Sequence, residues 1–178
     1  RGSGFKFVDA IKGGVVPRDF LPAIAAGARE AVETGGPAGY PVVDVKVNFY
    51  DGKMHPVDSK DVAFQIAGEK AFRDCVQGAK PCLLEPIYLI TVKVPDEHIG
   101  DVMGDISAKG GKIQGIDAEG KMQVVKALIP QRELYHYSTR LRSITGGRCL
   151  YREELDHYEE MPKQIAQKVI DAYDGHHE

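Results

Sequence analysis

The 178-residue chain has no apolar run approaching the roughly 20 residues that a membrane-crossing helix needs, and its N-terminus has no apolar signal-peptide centre. A cytoplasmic protein is expected. Cysteine is scarce: Cys75, Cys82 and Cys149 are odd in number and lack CxxC spacing, which argues against a disulfide framework or a zinc site and fits a reducing compartment. No GxxxxGK[ST] phosphate loop occurs, and no HExxH, GxSxG or catalytic Cys-His spacing stands out. Taken alone, the chain offers no nucleophile. Neither sign of charge dominates, the formal net charge being −3, whereas an independent nucleic-acid binder is more often basic. Any RNA contact must then be a local patch. What is present is a globular composition, 43% hydrophobic and 8% aromatic, enough for one ordinary domain or two small ones.

The hydrophobic periods divide the chain in two. Phe5, Phe7 and Ile11 lie in a short strand-like stretch closed by Gly13-Gly14, and from Asp19 a helix is predicted with Leu21, Ile24, Ala25, Ala28 and Val32 on one stripe. Pro22 falls in its first turn, where a missing N–H is tolerated, and Gly35-Gly36-Pro37 ends it. Pro41 to Tyr50 then alternates: Val43, Val45, Val47 and Phe49 share one face, Asp44, Lys46, Asn48 and Tyr50 the other. Asp58 or Ser59 is placed to cap a second helix, with Val62, Ile66, Ala67 and Cys75 at helical spacing, ending by Gly78. This half reads β-α-β-α, with parallel strands if they share a sheet.

After a connector from Pro81 to Pro86 the pattern changes. Tyr88, Ile90, Val92 and Val94 line a strand face; Ile99, Val102, Met103 and Ile106 make a helical stripe closed by Gly110-Gly111. Lys112 to Asp117 and Lys121 to Ile129 flank the hairpin signal Ala118-Glu119-Gly120, a helix carries Leu134, Tyr137, Leu141 and Ile144, and a last strand runs to about Tyr158. That order, β-α-β-β-α-β, is the ferredoxin-like split β-α-β motif. A final helix from Pro162, with Ile165, Val169 and Tyr173 on one side, has no slot in that motif and is expected on the first half. The fold class is thus α+β, two small α/β-sandwich domains: residues 1–86 joined by a C-terminal helix at 160–175, and residues 87–158.

The stretch between strand and second helix, Tyr50 to Ser59, is the candidate site. Asp51-Gly52 supplies turn chemistry, and Lys53, Met54, His55, Pro56, Asp58 and Ser59 form a tip with little to pack against. Of six histidines only His55 is placed by its position to touch a partner; His98 and His136 lie on predicted helices, His157 follows a strand and His176-His177 end the chain. Two basic clusters border glycine turns: Lys109 with Lys112, and Arg140, Arg142 and Arg148. Solvated faces are the ordinary explanation of such clusters, but beside glycine turns they can also meet RNA phosphates.

These residues resemble a known family. Gly13-Gly14-Val15-Val16-Pro17, Ala38-Gly39-Tyr40-Pro41-Val42-Val43-Asp44-Val45-Lys46-Val47 and Tyr50-Asp51-Gly52 with His55 and Asp58-Ser59 are similar to the fourth domain of bacterial elongation factor G. Leu83-Leu84-Glu85-Pro86-Ile87, Gly100-Asp101-Val102-Met103-Gly104-Asp105, Leu141-Arg142-Ser143 and Asp156-His157-Tyr158-Glu159-Glu160 continue the match collinearly, through the fifth domain. The resemblance implies a ribosomal-protein-like first domain with a left-handed β-α-β crossover, and a ferredoxin-like second one. It implies the C-terminal part of a ribosome-dependent GTPase, whose GTP and Mg would bind to a domain earlier in the polypeptide, with no cofactor in this stretch. Its partners would be the ribosome, tRNA and mRNA, and no membrane. The tip, with His55 matching the family's tip histidine, would enter the small-subunit decoding region, and the second domain would touch large-subunit RNA. A further glycine-rich tip loop is expected before Arg1, leaving an unpaired strand edge that promotes association. The chain departs from the family's usual acidic residue at Pro56, its aromatic at Met54, and its arginine run at Ala108-Lys109-Gly110. A recycling or rescue paralogue and a tetracycline-type ribosomal protection protein are alternatives within the class. A small-molecule-binding ferredoxin-like protein is the alternative outside it.

Overall fold

The computed structural model describes residues 2–57 and 59–174. They form two units, Arg1–Cys82 with Pro162–Glu178, and Leu83–Met161, each mixing helix and strand.

In the first unit, β1 (Phe5–Asp9) and β2 (Val45–Phe49) are parallel and in register, Phe5 opposite Val45 and Asp9 opposite Phe49. Parallel neighbours need a crossover, and α1 (Leu21–Thr34) supplies it, with Pro22 at its first turn. Ala28, Ala31 and Val32 of α1 and Phe72 and Val76 of α2 (Asp61–Gly78) bury one face of this sheet, against Phe5, Val45 and Val47. The second strand is shorter than its alternation suggests. Asp44 adopts φ 54° and its carboxylate accepts hydrogen bonds from the amides of Gly2 and Gly4, at 2.8 and 3.0 Å, so the chain turns at 41–44 before β2 begins.

Helix α2 buries a different face from the one its branched residues mark. Val62 and Ile66 are 66% and 46% exposed and Cys75 is exposed, while the buried row is Phe64, Gly68, Phe72 and Val76. The cause is a contact between helix backbones. A Cβ on Gly27 would stand 1.9 Å from the Gln65 carbonyl oxygen, and one on Gly68 would stand 2.6 Å from that of Ile24. Only glycine permits this approach, and it turns Val62 and Ile66 outward. The predicted cap is also corrected: the residue before α2 is Lys60, no side chain caps the helix, and Asp58 lies outside the described residues. Helix α5 (Lys163–Asp174) belongs to this unit, its Tyr173 hydroxyl filling the place where a side chain on Gly39 would stand.

The second unit is a four-stranded antiparallel sheet in the order β4 (Lys112–Glu119), β5 (Met122–Pro130), β3 (Leu84–Pro95), β6 (Leu150–Glu160). With α3 (Ile99–Ala108) and α4 (Tyr137–Ile144) it has the ferredoxin-like connection. Ile90, Val92, Val94, Val125, Ala127 and Ile129 of the two central strands meet Val102, Ile106, Tyr137 and Leu141 of the helices, all effectively without solvent contact. The strand β3 begins inside the predicted connector. Pro86 opposes Tyr158 of β6, whereas pairing with β5 starts at Ile87, so the proline occupies a stretch with a neighbour on one side only. The hairpin is tighter than expected: Glu119 opposes Met122, and Gly120, with φ 66°, leads a two-residue turn. Leu134 precedes α4, because His136 takes φ 55° and delays the helix to Tyr137. His98 falls in a tight turn before α3, and His157 lies within β6 beside a bulge at Asp156. His176-His177 lie outside the described residues.

Candidate nucleic-acid interface

The tip is an exposed loop on an apolar seat. Val16, Ile24 and Phe64 form a small core joined by Phe7, Ile11, Phe20 and Phe49, with Phe20 stacked on Phe64 at 4.4 Å between ring centroids. Gly52 crosses this seat: a Cβ there would stand 2.8 Å from Val16 Cγ2 and 3.2 Å from Phe49 Cζ. Its lack of a side chain lets the loop lie directly on the aromatic cluster. Beyond it Asp51, Lys53, Met54, His55 and Pro56 are exposed, and Val57 is 78% exposed.

A clip holds the far side. The His55 amide donates to Ser59 Oγ at 2.8 Å, and the Ser59 amide donates back to the His55 carbonyl at 3.2 Å. Ser59 therefore closes the loop instead of capping α2. The Val57 amide donates to His55 Nδ1 at 3.4 Å, a long bond that uses this nitrogen as an acceptor. His55 and Ser59 are thus brought together, as are Gly52 and the apolar seat. Sequence reasoning missed Val16 and Phe64 as supports; the apolar Val15-Val16 after two glycines was the available signal.

The second group of basic residues is spread over the second unit and is largely neutralised. Lys109 Nζ lies 3.9 Å from Glu133 and 5.7 Å above the Tyr137 ring, and Lys112 lies 3.7 Å from Glu159. Arg140 pairs with Asp105 at 3.2 Å, and Arg148 with Glu97 at 2.6 Å. Arg142, exposed, is the one of the five with no acidic partner among the described residues. Burial and the Asp105 charge raise the Tyr137 hydroxyl well above its ordinary value, so it remains a neutral phenol beneath Lys109.

Glu159 also holds His157, whose Nε2 lies 2.8 Å from it while Nδ1 lies 2.6 Å from Asp156. Bonding to Glu159 first and Asp156 second raises the imidazole above its usual 6.5, and the same contact lowers Glu159. Among the described residues no group of three or more His, Cys, Asp or Glu is arranged to hold a metal ion. The sequence holds no GxxxxGK[ST] phosphate loop. No described helix is long and apolar enough to cross a membrane.

A parallel β-α-β unit carrying an exposed loop, followed by a ferredoxin-like unit, defines a two-domain α+β protein. Two family descriptions match it: "Elongation factor G, domain IV" over residues 1–80 and "Elongation factor G C-terminus" over residues 82–169. The chain belongs to the elongation factor G family. It is 48% identical to an elongation factor G of Aquifex pyrophilus over 170 residues, 96% of this chain and 24% of that protein. A crystal structure of a Thermus thermophilus protein matches with a TM-score of 0.86 at 41% identity, over 97% of this chain and 26% of the other. The chain therefore spans about a quarter of the length of these relatives.

Proposed function

We propose that this chain is the ribosome-binding C-terminal part of a translational GTPase that promotes GTP-dependent translocation of tRNA and mRNA. The tip, residues 51–59, enters the small-subunit decoding site and holds the moved tRNA–mRNA pair by occupying space. The second unit faces large-subunit RNA. One observation carries this reading: within a chain of this family, the loop is both exposed and propped, resting on Val16 and Phe49 and clipped by Ser59. A wedge needs stiffness, and its free energy comes from contacts made only once the RNA has moved. Lys53 supplies charge, His55 a ring, and Met54 an adaptable apolar surface.

In the second unit, Lys109, Lys112, Arg140 and Arg148 exchange carboxylates for phosphates on binding. Exposed ion pairs such as Lys112–Glu159 and Arg148–Glu97 are worth only about 0–1 kcal/mol each, so those exchanges cost little, whereas the Arg140 exchange costs more because Asp105 is nearly buried. Arg142 needs no exchange. GTP and Mg act in the part of the parent outside this chain.

The test is single-turnover translocation by the full-length parent, wild type against His55→Ala. Fast GTP-dependent translocation that slows strongly in the variant is expected. The departures at Met54 and Pro56 favour a second reading, a recycling or rescue paralogue. Ribosome-stimulated GTP hydrolysis without translocation would establish that one.

A further inference from the structure

The open face of the first unit's sheet places two lysines side by side. The register pairs Lys6 of β1 with Lys46 of β2, and because Phe5, Phe7, Val45 and Val47 point to the helices, both lysines point away from them. Adjacent strands are about 4.8 Å apart, and like charges directly opposite each other destabilise a sheet. Neither lysine has an acidic partner among the described residues, and both are exposed. The nearest carboxylate in sequence, Asp44, is held by the amides of Gly2 and Gly4. On the same face Asn48 is exposed, and Tyr50, the residue after the strand, is 74% exposed at the root of the tip. Four of the five basic residues considered in the second unit are ion-paired; this pair is not.

We infer that Lys6, Lys46, Asn48 and Tyr50 form an RNA-binding strip continuous with the tip, the lysines seating a phosphate backbone and Tyr50 stacking on a base. An unneutralised cation pair is relieved by an anion held between its members, and RNA offers closely spaced phosphates. An exposed tyrosine beside them provides the aromatic surface that single-stranded RNA uses without regard to sequence. The amide of Asn48 donates to sugar or phosphate. Lys6, Lys46 and Asn48 lie on two paired strands, so their spacing is fixed before binding. This inference rests on the ribosomal reading for its setting but makes a separate claim about where the electrostatic contact lies.

The test is binding of a fluorescein-labelled RNA hairpin with a single-stranded loop by the whole chain over a range of salt concentrations. Wild type is compared with Lys6→Gln/Lys46→Gln, Tyr50→Ala and, as a control in the second unit's hairpin turn, Lys121→Gln. Loss of up to two phosphate contacts should lower the steepness of log K against log salt by about 1–2, with about a tenfold loss of affinity at low salt. Tyr50→Ala should weaken binding without changing that slope, and Lys121→Gln should change neither. Thermal unfolding should show the double variant at least as stable as wild type, since a repulsion has been removed. An unchanged slope in the double variant, or no hairpin binding by the wild type, would overturn the strip. Small ribosomal subunits serve as a second probe. If the wild type ignores them while the hairpin keeps its lysine dependence, the ribosomal reading fails and the strip stands. If subunit binding persists and the lysines do not matter to either RNA, the strip fails and the reading stands.

Discussion

The two units reach stability by different means. In the second, two central strands and two helices enclose ten residues that have lost essentially all solvent contact, and side-chain burial does the stabilising. In the first, two parallel strands support two helices that touch through glycine backbones, with two smaller clusters in place of one core. The difference shows where each can be altered. A core of branched side chains fails when a side chain is removed; a contact made by glycine fails when one is added.

The sharpest way to break that comparison is to exchange the treatments. Ile90→Ala should cost the second unit about 3–4 kcal/mol, the usual result of deleting a fully buried isoleucine side chain. Gly27→Val should cost the first unit about 3 kcal/mol or more, since the added carbon cannot share space with the Gln65 carbonyl. Urea unfolding followed by amide signals of each unit separates the two effects. A neutral Gly27→Val would contradict the close helix approach. Smaller, and aimed at the face of α2, is the pair Phe64→Ala and Ile66→Ala. The first removes a ring stacked on Phe20 and should destabilise by about 3 kcal/mol; the second should stay within about 0.5 kcal/mol. Equal costs would restore the face marked by Val62 and Ile66.

These contrasts also explain what could be read in advance. In the second unit every element announced itself, because Ile90, Val92 and Val94 alternate and Val102 and Ile106 repeat at helical spacing. Burial there is a property of side chains, and periodicity records side chains. The face of α2 was illegible for the same reason, since Gly68 carries no apolar signal. The turn at Asp44 was hidden because an aspartate in left-handed backbone depends on amides some 40 residues earlier. Of the candidate site, the exposed loop was readable from Asp51-Gly52 and the missing apolar partners. Its seat on Val16 and Phe49, and the use of Ser59 as a clip, come from contacts across the fold. The pairing of Lys6 with Lys46 required strand register.

The smallest expected effect concerns charge in the second unit. His157, raised by Glu159 and Asp156, contributes stability that is fully present below its unfolded value of 6.5 and is lost as pH rises through the higher folded value. Glu159, lowered, contributes stability present above its unfolded value and lost as pH falls through the folded one. The pair is therefore strongest between the two. An NMR titration of the His157 ring should find its midpoint above 6.5, and Glu159→Gln should bring it down.

The central proposal is that the propped tip itself meets RNA in the decoding region, whether ribosomal RNA, tRNA or mRNA. A photoreactive benzoylphenylalanine in place of Met54, in the full-length parent bound to ribosomes with a non-hydrolysable GTP analogue, tests it most directly. Crosslinks to small-subunit RNA, tRNA or mRNA, weakened when Ser59→Ala removes the clip, are the result this account predicts. Crosslinks confined to ribosomal protein, or none in a complex that forms normally, would contradict it.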